Sequence, residues 1–94
     1  MTSTGSRTIA PAGALTMATV RACQEEGRAA LLEGDLALDL SGVTETDSAA
    51  LACIFDLFRA ARARGRQLHL IGLPEELHSL ASVYGVAELL PDAG

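Results

Sequence analysis

Asp47-Ser48 is the place in this chain where residue types and spacing point to chemistry at a single hydroxyl. The pair follows LALDLSGVTET. It opens a stretch, residues 48–64, in which Leu51, Ile54, Phe55 and Phe58 recur at helical spacing. A hydroxyl at a helix start lies beside N–H groups that lack intrahelical partners, at the positive end of the dipole. Three uses fit that position: a cap, a contact for a partner, or an acceptor of phosphate. A phosphate would bring about −1.5 to −2 charges to those N–H groups. Glu45 and Asp47 would oppose it, and Asp47 is itself a residue type that caps helices.

Other reactive groups are sparse. Glu45, Asp47 and Asp56 can be written as an acid/base set, but Asp47 as a cap and Asp56 on a solvated helix face account for them more simply. His69 falls in a strand pattern at a polar or edge position, since Leu68 and Leu70 take the alternate face. His78 stands beside a helical leucine stripe. These histidines and the two cysteines form no cluster at metal-ligand spacing. No GxSxG, Walker or GxGxxG pattern is present. The sequence therefore implies no catalytic residue, no metal ligand and no cofactor. Cys23 and Cys53 lie at helical positions among apolar neighbours, without a CxxC motif, and read as buried free thiols.

The elements that must position Asp47-Ser48 follow from the apolar pattern. Residues 1–7 are rich in Ser, Thr and Gly and read as a mobile lead-in to a single domain over 8–91, with 92–94 as a tail. Ile9-Ala10 and Ala14-Leu15 flank Pro11-Ala12-Gly13, which predicts a short hairpin or a broken edge strand. Thr16 is placed to cap a helix through about Leu32, with Val20, Cys23, Gly27, Ala30 and Leu31 inward and Gly34 at its end. Gly27 in mid-helix costs about 1 kcal/mol against Ala, which a close approach to the sheet would offset. Residues 36–40 predict a central strand, followed by a loop from Ser41 to Asp47. The helix over 48–64 closes with arginines and Gly65, and Gln67–Ile71 is the next strand. Pro74 at the first helical position, with Glu75 and Glu76, predicts a third helix striped by Leu77, Leu80, Ala81 and Tyr84 and ended by Gly85. Val86, Leu89 and Leu90 would fold back to close the core. Strand 36–40, helix 48–64 and strand 67–71 make a βαβ unit, whose functional loops lie at the carboxyl ends of its strands.

Composition excludes several classes. The chain has 94 residues, 49% of them hydrophobic, so it can build a core; with one Tyr, two Phe and no Trp, that core must be aliphatic. A net charge of −5 argues against a nucleic-acid surface. All seven basic residues are arginines, four of them (Arg59, Arg62, Arg64 and Arg66) in one short tract that suits a helix C-terminus. No apolar run approaches the ~20 residues of a membrane span, and the N-terminus lacks a signal-peptide core. The expectation is a soluble, cytoplasmic protein without direct membrane insertion.

LALDLSGVTETDSAALACIFDLFRAARARGRQLHLIGL, with Ser48 directly after Asp47, resembles a STAS domain. Such domains are small α/β units, shared by anti-sigma factor antagonists, sulfate-transporter tails and a subunit of the Mla phospholipid-transport system. The resemblance covers about Gly13 to Pro91 and implies a small mixed sheet packed against three or four helices. In the antagonists the hydroxyl residue matching Ser48 is phosphorylated by a kinase-like anti-sigma partner. Antagonists typically read Asp-Ser-Ser-Gly-Leu, whereas Ala49-Ala50 stands here before Leu51, and the first strand is abbreviated to TIAPAGALT. GALTMATV, DSAALA, ARARGRQLHLIGLPEEL and LASVYGVAELLP are more similar to the Mla-type (MlaB-like) STAS subunits. That resemblance implies a non-enzymatic subunit bound to an ABC transporter ATPase, in a complex with permease and substrate-binding subunits that maintains outer-membrane lipid asymmetry. It also implies a location peripheral to the inner membrane through that partner. The resemblance implies partner binding directly at Asp47 and Ser48 and regionally at Thr44, Glu45 and Thr46; the small Ala49, and Ala52, Asp56 and Arg59 along a less apolar helix face, are expected to extend the contact. Ala49 and Ala50 are small enough to let another surface come close. The alternative is an antagonist switched by phosphorylation of Ser48.

Overall fold

The computed structural model describes residues 7–83 and Gly85. Over these residues the chain runs β1 (Arg7–Ile9), β2 (Gly13–Leu15), α1 (Val20–Glu33), β3 (Leu36–Asp39), β4 (Val43–Thr46), α2 (Ser48–Ala63), β5 (Leu68–Ile71) and α3 (Glu75–Val83). Tyr84, the fold-back of Val86, Leu89 and Leu90, and the tail lie outside the described residues.

Two small sheets form, with strand orders β1-β3-β5 and β2-β4, and every described pairing is parallel. The α/β class and the three helices follow the expectation, while the described strands are parallel rather than mixed. The expected hairpin at Pro11-Ala12-Gly13 does not occur. Ile9 pairs with Leu38 and Gly13 with Val43, so β1 and β2 track β3 and β4 in nearly constant register. Proline has no N–H to give to a ladder, so the pairing breaks at Pro11 and resumes where the Gly13 N–H donates to the Gly42 carbonyl at 2.9 Å. The expected loop from Ser41 to Asp47 contains strand β4. A four-residue strand with no buried side chain carries none of the apolar alternation that marks a strand in sequence.

One face of the three-stranded sheet is covered. Leu36, Leu38, Leu68 and Leu70 are buried, whereas His69 and Ile71, on the other face of the edge strand β5, are exposed. Parallel strands need crossovers, and the helices that make them pack on this face: α1 against β1, β3 and α2, and α2 against β5 and α3. Leu31, Leu36, Leu38, Leu40, Ile54, Leu57 and Leu77 are the largest side chains removed from water, each contributing about 1.5–3 kcal/mol. The core is thus aliphatic, as composition requires. On α2 its centre lies at Ile54 and Leu57, and Phe55 and Phe58 pack half-buried at the margin.

Gly27 allows the close approach expected of it, and the neighbour is a helix as much as the sheet. A Cβ there would lie 2.9 Å from both Leu57 methyl carbons and 3.4 Å from Leu36 Cδ2. Leu57 is fully buried and has little room to yield.

Helix ends differ in detail from the sequence reading. Thr16 does not cap α1. Its carbonyl accepts from the Thr19 and Val20 N–H groups in a turn that precedes the helix, and Thr19 stands at the cap. Pro74 lies one residue before α3, where its carbonyl accepts from the Leu77 and His78 N–H groups. The end of α2 is a Schellman arrangement. The Gly65 N–H donates to the Arg62 carbonyl and the Arg66 N–H to the Ala61 carbonyl, with Gly65 at φ +67°.

Candidate functional site

The junction of β4 and α2 is fastened from two sides. Asp47 is extended and caps α2: its Oδ1 accepts from the Ala49 N–H at 2.9 Å, and its carbonyl accepts from the Ala50 N–H at 3.0 Å. Its Oδ2 accepts from the Met17 N–H at 3.1 Å, which ties the turn before α1 to the start of α2. One carboxylate therefore holds two backbone segments 30 residues apart in sequence. On the other side, Glu76 in the first turn of α3 accepts from both the Thr46 N–H at 3.2 Å and the Thr46 hydroxyl at 2.7 Å.

Ser48 is the first residue of α2 and is exposed. Since Asp47 supplies the cap, the helix does not need the serine hydroxyl for that purpose. Around it, Thr44 and Glu45 are exposed on β4, Thr46 and Asp47 are half-buried by the bonds just described, Ala49 is half-buried and Ala52 is exposed. Ala50 is wholly buried, so its small size serves the core and not an approaching surface.

Asp56 is engaged within the molecule. Its carboxylate accepts from Arg28 in a two-pronged pair, Nη2 to Oδ1 at 2.8 Å and Nε to Oδ2 at 2.9 Å. It also accepts from Gln24 at 2.8 Å and from Arg59 at 3.4 Å. Hydrogen bonds from Arg28 and then Gln24 hold the Asp56 carboxyl down at about 2, against the opposing effect of desolvation. The group thus clamps α1 to α2, and it stands apart from the fastened β4–α2 junction.

Two residues of the junction carry no distinguishing signal in sequence. Met17, a large apolar residue, is 80% exposed on the turn that Asp47 holds, its backbone N–H bonded to the residue before Ser48. Glu76 reads as a first-turn acid, and its second task at Thr46 needs the tertiary fold. A groove of about 720 Å³, lined by Phe55, Phe58, Arg59, Arg62, Arg66 and Leu68, is toward the opposite end of α2. Among the described residues no three His, Cys, Asp or Glu side chains gather as a metal site. No described helix is long and apolar enough to cross a membrane.

No curated protein matches the chain. Among solved structures, it is similar to the anti-sigma factor antagonist SpoIIAA in its unphosphorylated form, with a TM-score of 0.74 and 14% sequence identity over 100% of this chain and 84% of that one. At that identity the likeness concerns the fold, and it agrees with the parallel β/α arrangement described above. The family model described as "Mlab, STAS domain" matches residues 2–91. On that match, which takes in both sheets, all three helices and the Asp47-Ser48 junction, this chain belongs to the Mlab, STAS domain family.

Proposed function

We propose that this chain is a non-enzymatic accessory subunit that docks on the ATPase of an Mla-type ABC phospholipid transporter, at the cytoplasmic side of the membrane and peripheral to it through that partner. The observation that carries the reading is an exposed Ser48 on a rigid mount, in a chain of the Mlab, STAS domain family. A surface that binds without reorganising loses less conformational entropy on association, and the bonds at Asp47 and Thr46 supply that preorganisation. Thr44, Glu45, Ser48, Ala49, Ala52 and Met17 form the contact in this reading, with Met17 as its apolar anchor. The carboxylates of Glu45, Asp47 and Glu76 favour a partner surface that presents cationic or N–H groups. They also oppose a phosphate on Ser48.

The second reading is an anti-sigma factor antagonist switched at Ser48. It is favoured by the exposed hydroxyl, which Asp47 leaves unneeded as a cap, and by the likeness to SpoIIAA. Affinity capture with the tagged full chain, followed by identification of stoichiometric partners, separates the two. An ABC ATPase accompanied by permease and substrate-binding subunits is the expected result. Capture of a kinase-like anti-sigma factor, with stoichiometric phosphate on Ser48 after incubation with ATP, would replace the transporter reading with the switch.

A further inference from the structure

β1 is an edge of the three-stranded sheet, and among the described residues no strand lies beyond it. Alternate residues of a strand turn their main-chain groups to opposite sides. The Arg7 N–H donates to the Asp35 carbonyl at 3.1 Å, and past the break the Gly13 N–H donates to the Gly42 carbonyl. The odd-numbered positions thus face the inner neighbours, and the N–H and C=O groups of Thr8 and Ala10 point outward. Both residues are exposed. Proline is a residue type that blunts a sheet edge. The missing N–H of Pro11 falls on the inner side, so it interrupts pairing to β3 and takes nothing from the outer edge. Beside this edge is an open groove of about 430 Å³, lined on the strand side by Ala10, Pro11 and Ala12 and on the α1 side by Ala22. Its charged lining residues among those described are Arg7 and Glu26, one of each sign.

We propose that a second copy of this chain adds to the β1 edge, the two strands pairing antiparallel about a two-fold axis at Ile9. The edge is self-complementary in that register. Thr8 of each copy stands opposite Ala10 of the other, and each such pair exchanges two N–H···O=C bonds. Every outward N–H and C=O of Thr8 and Ala10 in the two copies then has a partner. Ile9 meets its own copy at the axis without hydrogen bonds, its buried side chain directed to the helix-covered face. The product is one continuous sheet with strand order β5-β3-β1-β1-β3-β5, through an isologous contact that closes on two copies. A copy is favoured over an unrelated strand because three features match under the two-fold: the hydrogen-bond pattern, the small side chains of Ala10 and Ala12, and the Arg7–Glu26 charge balance of the groove. So short a contact falls at the small end of interfaces, below about 1,200 Å², and the pair should dissociate on dilution. It uses no residue of the Ser48 junction, which belongs to the other sheet.

The test is sedimentation equilibrium of the full chain, under reducing conditions, from micromolar to millimolar concentration. The mass should rise toward twice that of the monomer. Thr8→Lys/Ala10→Lys sets like charges opposite each other in both pairs. Both positions being exposed, this variant should keep the wild-type melting curve yet remain monomeric at the highest concentration. Mixed with Thr8→Glu/Ala10→Glu, it should recover a dimer of one chain of each kind. The register is read separately with Thr8→Cys/Ala10→Cys, in which opposed positions would have Cα atoms about 5.5 Å apart, within disulfide reach. Mild oxidation should give a covalent dimer whose crosslinks, mapped on peptides, join position 8 of one chain to position 10 of the other. A wild-type chain that stays monomeric throughout overturns the proposal, as does a dimer that the lysine variant leaves intact. Crosslinks joining like positions would overturn the two-fold at Ile9.

Discussion

At its N-terminal end α2 begins on Asp47, whose carboxylate is shared between the helix and the Met17 turn, with Thr46 held by Glu76 just before it. At its C-terminal end, after 16 residues, the same helix closes with backbone hydrogen bonds at Gly65 and a tract of exposed arginines. The first end is fastened to two other elements by side chains. The second is closed locally, and its arginines complement the helix dipole while remaining in water. A side-chain hydroxyl placed at the first end has a fixed position, whereas a charge at the second end does not. The contrast explains why a docking surface is assigned to the junction at Ser48 and not to the groove beside the arginines. A groove shows where there is room. The fastened junction shows where geometry is specified.

The comparison breaks most visibly at Asp47. Asp47→Ala removes the cap and the tie to Met17 together and should cost about 2 kcal/mol, lowering the thermal midpoint by roughly 10 °C. At the other end Arg62→Ala should change stability by less than about 0.5 kcal/mol in the same measurement. Equal losses at the two ends would remove the distinction between them.

Asp56, midway along α2, sharpens the comparison through pH. Its carboxyl is held at about 2 in the folded chain, chiefly by Arg28, below the usual carboxylate range. A depressed acid stabilises the fold above its unfolded value near 4, and that stability is lost as pH falls toward 2. The Arg28 and Arg59 side chains are 56% and 77% exposed, so screening reduces the contribution to about 1–2 kcal/mol. Denaturant titrations from pH 5 to pH 2 should show that loss in the wild type and a shallower one in Asp56→Asn. Parallel curves would mean that the clamp contributes nothing.

A smaller loss than at Asp47 is expected at Gly65. Its left-handed backbone makes Gly65→Ala cost about 1 kcal/mol by shortening or straining the close of α2. Partner binding at the distant Ser48 end should be unchanged, as a binding titration with the variant would show.

Much of this architecture was legible because its signals are local. The leucine spacing of α2, Asp47 before it and Gly65 after it are read directly from neighbours in sequence, and the Gly27 contact was inferable from a glycine in an otherwise good helix. Strand β4 was not legible. Its residues, VTET, are polar or half-buried, and they are extended because β2 pairs with them. The hairpin expectation failed for the same reason: Pro11 and Gly13 mark a break in pairing, but the direction of the chain after the break is set by the partner strand. Within the site, Ser48 and Asp47 were legible as a pair, while Met17, Glu76 and the engagement of Asp56 depend on contacts that join distant parts of the chain. Ala50 shows the converse, since a small residue beside a site looks like an approach surface until its burial is known.

The central claim, that the mount around Ser48 is read by a transporter ATPase, is tested most directly by titrating the purified chain against that ATPase. Ser48→Arg, placed on an exposed first-turn residue, should keep the wild-type melting curve and weaken binding at least ~100-fold, by about 2.7 kcal/mol or more. Wild-type affinity in a folded Ser48→Arg chain would contradict it.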